Sequence, residues 1–164
     1  MPRFKIPYGR HEQQFGHLYV PDGVADGPIP VVMQIHGGFW SGQYGLTLGT
    51  AFAVELARHG VAVWNIEYRR LGAGGGWPEM SADVKTAYDE IPGLVAGKSS
   101  AELDLNQIRL LGHSAGGHLA VWLAGEKDTF TRPERVIAQA AALDLASAGE
   151  RGRRISFIED LFGN

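Results

Sequence analysis

The chain has no cysteine. Disulfides, thiolate metal sites and a cysteine nucleophile are therefore excluded. No apolar stretch approaches the ~18 residues of a membrane-spanning helix. The opening Met1-Pro2-Arg3-Phe4-Lys5-Ile6-Pro7 lacks the apolar core of a secretion signal. On these readings the cytoplasm is the default compartment and no membrane partner is expected. Basic charge is scarce as well: 15 Lys and Arg against 18 Asp and Glu leave a net charge of −3, which gives no electrostatic case for nucleic acid. No His/Asp/Glu cluster has metal-ligand spacing, and no Walker lysine follows a glycine-rich loop. Neither a metal nor a cofactor is expected. Repeats and long charge runs are missing too. What remains, 164 residues of which 45% are hydrophobic and 20% charged, suits one globular domain over residues 1–164 with an ample core.

Short apolar runs alternate with helical patterns. The first residues read as an entry segment followed by a strand near Phe15–Val20, closed by a turn at Pro21-Asp22-Gly23. Val31–His36 and Val61–Ile66 read as buried strands. Between them, Thr50–His59 predicts a helix with Phe52, Val54, Leu56 and Ala57 available for the core and Gly60 as its stop. Pro78 and Glu79 suit a first helical turn, and Met80, Val84, Ala87, Tyr88 and Ile91 recur at helical spacing. Ile108–Leu111 precedes Ser114 as a strand, and Ala115–Ala124 follows as a helix. Arg135–Leu143 is a further strand candidate whose alanine run also suits a helix, and Ile155–Phe162 reads as a short helix. The alternation predicts an α/β fold: a mostly parallel sheet with helices on both faces and right-handed crossovers.

Two glycine motifs carry the chemistry. Gly112-His113-Ser114-Ala115-Gly116 follows a strand and opens a helix. That pattern holds a serine hydroxyl exposed on a tight turn, and small residues at both ends permit the turn. Read otherwise, it is a plain strand–helix connection. His36-Gly37-Gly38-Phe39-Trp40 follows the Val31–Ile35 strand. Acyl transfer builds negative charge on a tetrahedral oxygen, which needs preplaced N–H donors. The amides of Gly37, Gly38 and Ala115 are candidates for that oxyanion hole, against a simple glycine-rich connection. His36 reads as a brace for this loop rather than a base.

Together these motifs, with Tyr68-Arg69-Arg70 after the Trp64 strand and Gly116-Gly117-His118-Leu119 after the serine, resemble the α/β-hydrolase esterases of the hormone-sensitive-lipase and kynurenine-formamidase type. The His-Gly-Gly-x-Trp form leans toward the formamidase-like branch. The resemblance implies hydrolysis of a small carboxylic ester or an N-formyl or aryl amide through an acyl-enzyme on Ser114. It covers almost all of the chain but only roughly the N-terminal ~60% of such a domain. The family's triad runs Ser, then Asp or Glu, then His. Residues 115–164 hold one histidine, His118, and no position matches the family's acid and base. The expectation is a truncated hydrolase-type domain lacking the last strands, weak or inactive. The alternative is a non-catalytic α/β module that binds a small acyl or aryl ligand. An exposed sheet edge at Arg135–Leu143 is then expected to favour self-association.

The remaining candidates read more plainly. His118, four residues after Ser114 on a helix, reads as a packing residue. Asp144 is a weak candidate for the acid, and Asp128, Glu159 and Asp160 read as surface charges. Asp83 reads as a buried hydrogen-bond partner, and Arg69 and Arg70 as strand-end packing and surface ion pairs rather than binders of an acidic substrate. His11, His17 and His59 carry no site signal. Asn65 and Glu67 are assigned no role. The run Gly72–Gly76 lacks the spacing of a dinucleotide loop. It reads as a flexible rim, with Trp77 and Trp40 lining an acyl or aryl pocket.

Overall fold

A computed structural model describes residues 1–23, 27–150 and 155–162. Six strands form one sheet: β1 (Arg3–Pro7), β2 (Phe15–Tyr19), β3 (Ile29–Ile35), β4 (Ala62–Ile66), β5 (Leu103–His113) and β6 (Arg135–Gln139). Their order across the sheet is β1-β2-β4-β3-β5-β6. The β4-β3-β5-β6 part is parallel, and β1 and β2 add antiparallel strands beyond β4. The helices are α1 (Thr50–Arg58), α2 (Trp77–Asp89), α3 (Ala115–Gly125), α4 (Leu145–Glu150) and α5 (Ile155–Phe162).

Period-two alternation divides the strands between two cores. Trp64 and Ile66 of β4, Val31, Met33 and Ile35 of β3 and Ile108 and Leu110 of β5 pack with Met80, Val84 and Ala87 of α2 and Leu119, Ala120 and Leu123 of α3. On the opposite face Tyr19 and Val63 meet Ala53 and Ala57 of α1. The sheet therefore carries helices on both faces, as the pattern predicts. Trp64 is fully buried, and its indole N–H donates to the Ala87 carbonyl at 2.9 Å. Burying an aromatic of that size stabilises the fold by roughly 5 kcal/mol as an upper estimate. Gly16 leaves the space its ring needs, since a Cβ there would lie 2.5 Å from the ring.

Three expectations are corrected. The entry segment contains a strand, β1, because Phe4 and Ile6 pack on the core while Arg3, Lys5 and Pro7 face outward. In α1 the inward residue is Ala53, and Phe52 is 48% exposed. The last strand ends at Gln139 rather than Leu143, because Ala140 turns the chain with φ 45°.

The chain runs from β3 to β4 on one side, then crosses back through α2 to β5 on the other. The loops leaving the carboxyl ends of β3 and β5 therefore diverge, which is where parallel α/β sheets place a binding crevice. His36-Gly37-Gly38 leaves β3 there, and Ser114 leaves β5 beside it.

Candidate active site

Ser114 sits between β5 and α3 with φ 52° and ψ −118°, a conformation that costs a non-glycine residue about 1–3 kcal/mol and needs its surroundings to impose it. Those surroundings are backbone. Ser114 N–H donates to the Gln139 carbonyl at 2.9 Å, and its carbonyl accepts from His118 N–H at 3.1 Å and Ala142 N–H at 3.4 Å. The flanking glycines are there for contact. A Cβ on Gly112 would overlap the Gly116 carbonyl, and one on Gly116 would overlap the Ile35 carbonyl. The start of α3 is thus pressed against the end of β3, and the elbow and the glycine loop touch. A Cβ on Gly37 would lie 2.6 Å from the His113 carbonyl oxygen and 3.1 Å from Ser114 Cβ.

The loop after β3 is held in a shape few residues adopt. Gly38 has φ 115°, and Phe39 and Trp40 follow at 56° and 55°. Among the described residues, the amides of Gly37, Gly38 and Ala115 donate to no protein group. Gly37 and Ala115 are buried. Buried N–H groups are rarely left unpaired, so the Gly37 and Ala115 amides are donors open to an acceptor.

Beneath the loop lies a buried polar cluster that sequence reasoning missed. Glu67, directly after β4, accepts from Leu46 N–H at 3.0 Å and Tyr68 N–H at 3.2 Å, pairs with Arg70 and lies 2.8 Å from His36 Nε2. Tyr68 stacks on the His36 ring at 4.6 Å and donates its hydroxyl to the His36 carbonyl at 2.8 Å. The brace role read for His36 agrees with this geometry, whereas the arginines, read as surface ion pairs, bond carboxylates held inside the fold, because Glu67 and Asp83 are buried. Arg69 grips Asp83 through Nε at 2.9 Å and Nη2 at 2.7 Å, and Gln14 also donates to Asp83 at 2.6 Å. The one signal for Glu67 was an acid directly after a buried strand, with two arginines two and three residues on.

The aromatic residues read as a pocket wall converge on His118. Its ring lies 5.1 Å from Trp77 and 5.6 Å from Trp40, and Trp122 meets Trp77 edge-on at 5.6 Å. Trp40 Nε1 and His118 Nδ1 are buried without a partner. Burial lowers the His118 pKa, which keeps the ring neutral near pH 7. Asp144 accepts from Ser147 N–H at 3.0 Å at the start of α4.

A cavity of about 140 Å³ reaches His36, Gly37 and His113 from the α1 face, between Phe52, Leu111 and Gln139. A larger one, about 310 Å³, lies between Pro2, Val20, Ile29 and Ser99–Glu102 at the opposite end of the strands. Neither is lined by Ser114, Trp40 or Trp77, so size alone does not mark the serine. Among the described residues no helix is long and apolar enough to cross a membrane, and no cluster of three metal-ligating side chains occurs.

Residues 17–160 match the family model described as BD-FAE. A probable isoprenylcysteine alpha-carbonyl methylesterase of Arabidopsis thaliana, ICMEL2, is 32% identical over 118 residues, which is 72% of this chain and 26% of that protein. Kynurenine formamidase of Salmo salar is 29% identical over 72% of this chain and 37% of its own. Esterase B of Lactobacillus rhamnosis superposes with a TM-score of 0.85 at 23% identity, over 99% of this chain and 56% of that one. The fold is that of the α/β-hydrolase esterases, and the chain spans little more than half of the solved enzyme and about a quarter to a third of the curated relatives.

Proposed function

The chain belongs to the BD-FAE family, and on that premise we propose that it is a serine hydrolase of small carboxylic esters or N-formyl and aryl amides, with Ser114 as nucleophile. The Ser114 hydroxyl attacks the substrate carbonyl and passes its proton to water, giving a tetrahedral oxyanion, and the leaving alcohol or amine takes a proton back from water as its bond to the acyl carbon breaks. Water then releases the acyl group from Ser114. The amides of Gly37, Gly38 and Ala115 receive the oxyanion, and Trp40 and Trp77 wall the acyl or aryl group. The observation that carries this reading is the set of three amides without acceptors beside a serine at φ 52°. The Ala115 amide adds the positive end of the α3 dipole.

Among the described residues no histidine side chain bonds Ser114. Loss of the histidine base lowers turnover in a comparable hydrolase by about 10⁶-fold and leaves ~10³–10⁴-fold over water. The expected activity of the 164-residue chain is therefore close to the detection limit. Hydrolysis of p-nitrophenyl butyrate and labelling by a fluorophosphonate, with the modified peptide located by mass, test the reading. Any turnover or label must vanish in Ser114→Ala. A label elsewhere, or turnover indifferent to Ser114→Ala, overturns it. Saturable binding of p-nitrophenyl butyrate without turnover or label favours the non-catalytic alternative, a module holding an acyl or aryl ligand. That alternative draws on the unpartnered Trp40 Nε1 and His118 Nδ1.

The same proposal treats residues 1–164 as one domain of a cytoplasmic protein that associates with a second copy through β6. Among the described residues β6 has no strand beyond it, and Ile137 is 46% exposed. Such an edge, with Arg135 as its one charge, offers unpaired N–H and C=O groups to another strand.

A further inference from the structure

Both ring nitrogens of His36 face oxygen acceptors. Nδ1 lies 2.7 Å from the Gly37 carbonyl oxygen, and Nε2 lies 2.8 Å from Glu67 Oε1 and 3.4 Å from Arg70 Nη1. A neutral imidazole carries one N–H and would leave two lone pairs facing each other at one of these contacts. Only the imidazolium donates to both. Glu67 is an unsuitable source of the missing proton, because its oxygens already accept from Leu46 and Tyr68 and pair with Arg70. That setting holds a carboxylate ionised. Burial pushes the His36 pKa down, toward about 3, with the Gly37 carbonyl acting upward and Arg70 downward. The Glu67 carboxylate in contact with Nε2 is an opposite charge that acts upward, toward the protonated ring. Arg70 stays a cation too, although burial lowers its pKa to about 10. Tyr68, stacked on the ring, stays neutral because burial raises its pKa. Tyr8, which donates to the Glu67 carbonyl oxygen at 2.6 Å, is likewise raised by burial. His113 and Ser114 border Gly37 from the β5 side.

We propose that His36 is a resident imidazolium and a positioning residue, which aims and polarises the Gly38 amide through the Gly37 carbonyl. The link is one peptide group. The chain has no cis peptide among the described residues, so the Gly37 C=O and the Gly38 N–H point in opposite directions. Pinning the carbonyl to His36 turns the amide away from the cluster. A cation on the carbonyl side also draws electrons through the peptide and strengthens the N–H as a donor. Two cations, His36 and Arg70, surround one carboxylate, Glu67. The surplus positive charge lies one peptide behind the proposed oxyanion, where fixed charge acts most strongly on developing negative charge.

The inference rests on the oxyanion reading of Gly37 and Gly38, and its test does not need catalysis. In protein labelled with ¹³C and ¹⁵N, both His36 ring nitrogens are expected to be protonated at pH 7.5. A scalar coupling across the hydrogen bond is expected between Nδ1 and the Gly37 carbonyl carbon. One unprotonated ring nitrogen, or no coupling, overturns the proposal on the wild-type protein alone. In Glu67→Gln, which keeps the shape and removes the charge, His36 is expected to lose one ring proton near neutral pH and the Gly38 amide proton to shift upfield with it. An unmoved Gly38 amide beside a deprotonated ring overturns the relay. Where wild type takes up the fluorophosphonate, Glu67→Gln is expected to slow it about 10-fold or more. Failure of all labelling bears on Ser114 as nucleophile and leaves the state of His36 to the spectra.

Discussion

On the β3–β4 side of Ser114 the ionisable groups lie inside the fold and are matched: Glu67 with His36 and Arg70, Asp83 with Arg69 and Gln14. On the β6 side the chain is laid open. Ile137 and Leu143 are 46% and 56% exposed, and four of the five residues of β6 face solvent. Yet Ser114 hangs by its own amide and carbonyl from this open side, on Gln139 and Ala142. Of the proposed oxyanion donors, Gly37 and Gly38 are set in the enclosed part of the molecule, and the serine is tied partly to the open part.

The comparison breaks first at Glu67. Glu67→Ala leaves Arg70 as a buried charge without its anion, and is expected to cost about 3–5 kcal/mol. The midpoint of urea unfolding checks it, and a cost comparable to that of a β6 surface substitution would dissolve the distinction between the two sides. Gly116→Ala comes next. Its Cβ must force α3 away from the Ile35 carbonyl, at about 1–3 kcal/mol. Calorimetry reads the stability, and the amide spectrum of residues 35–38 should shift with it.

His118 sharpens the comparison through pH. Burial holds its pKa below the ordinary histidine value of about 6.5, so between the folded and unfolded values the unfolded chain binds the additional proton. Stability therefore falls as pH drops below about 6.5, by at most about 1.4 kcal/mol per pH unit from this one group. In His118→Gln the acid limb of a stability–pH curve should be shallower, and an unchanged slope would assign that proton elsewhere. The smallest effect on stability belongs to β6. Ile137→Lys is expected to stay within about 0.5 kcal/mol of wild type, while light scattering shows any dimer of the wild-type chain reduced to monomer. A wild-type chain that is monomeric throughout removes the proposed association.

What was legible in the sequence followed from local chemistry. Gly112–Gly116 and His36–Trp40 announced turns at strand ends because only small residues fit them, and the apolar runs of β3 and β4 announced burial on both faces. Period and punctuation placed α1, α2 and α3 within a residue or two. What escaped depended on partners distant in the chain. β1 is short and half exposed, and becomes a strand by pairing with β2 from Arg3↔Tyr19 to Pro7↔Phe15. Glu67 gains its role from Leu46, His36 and Arg70, which no spacing rule connects.

The contact of Gly116 with the Ile35 carbonyl joins segments that the chain keeps about 80 residues apart, with β4 and α2 laid down between them. Closing a loop of that length costs about 4 kcal/mol of chain entropy before any contact across it is formed. Contacts of such range belong to the slow class in folding. The serine and the amides proposed to serve it therefore come into being together, in the step that docks β5 onto β3. A chain arrested before that step holds the glycine loop with nothing opposite it. Chemistry at this site would then report the completed core, and would be absent rather than feeble in anything less.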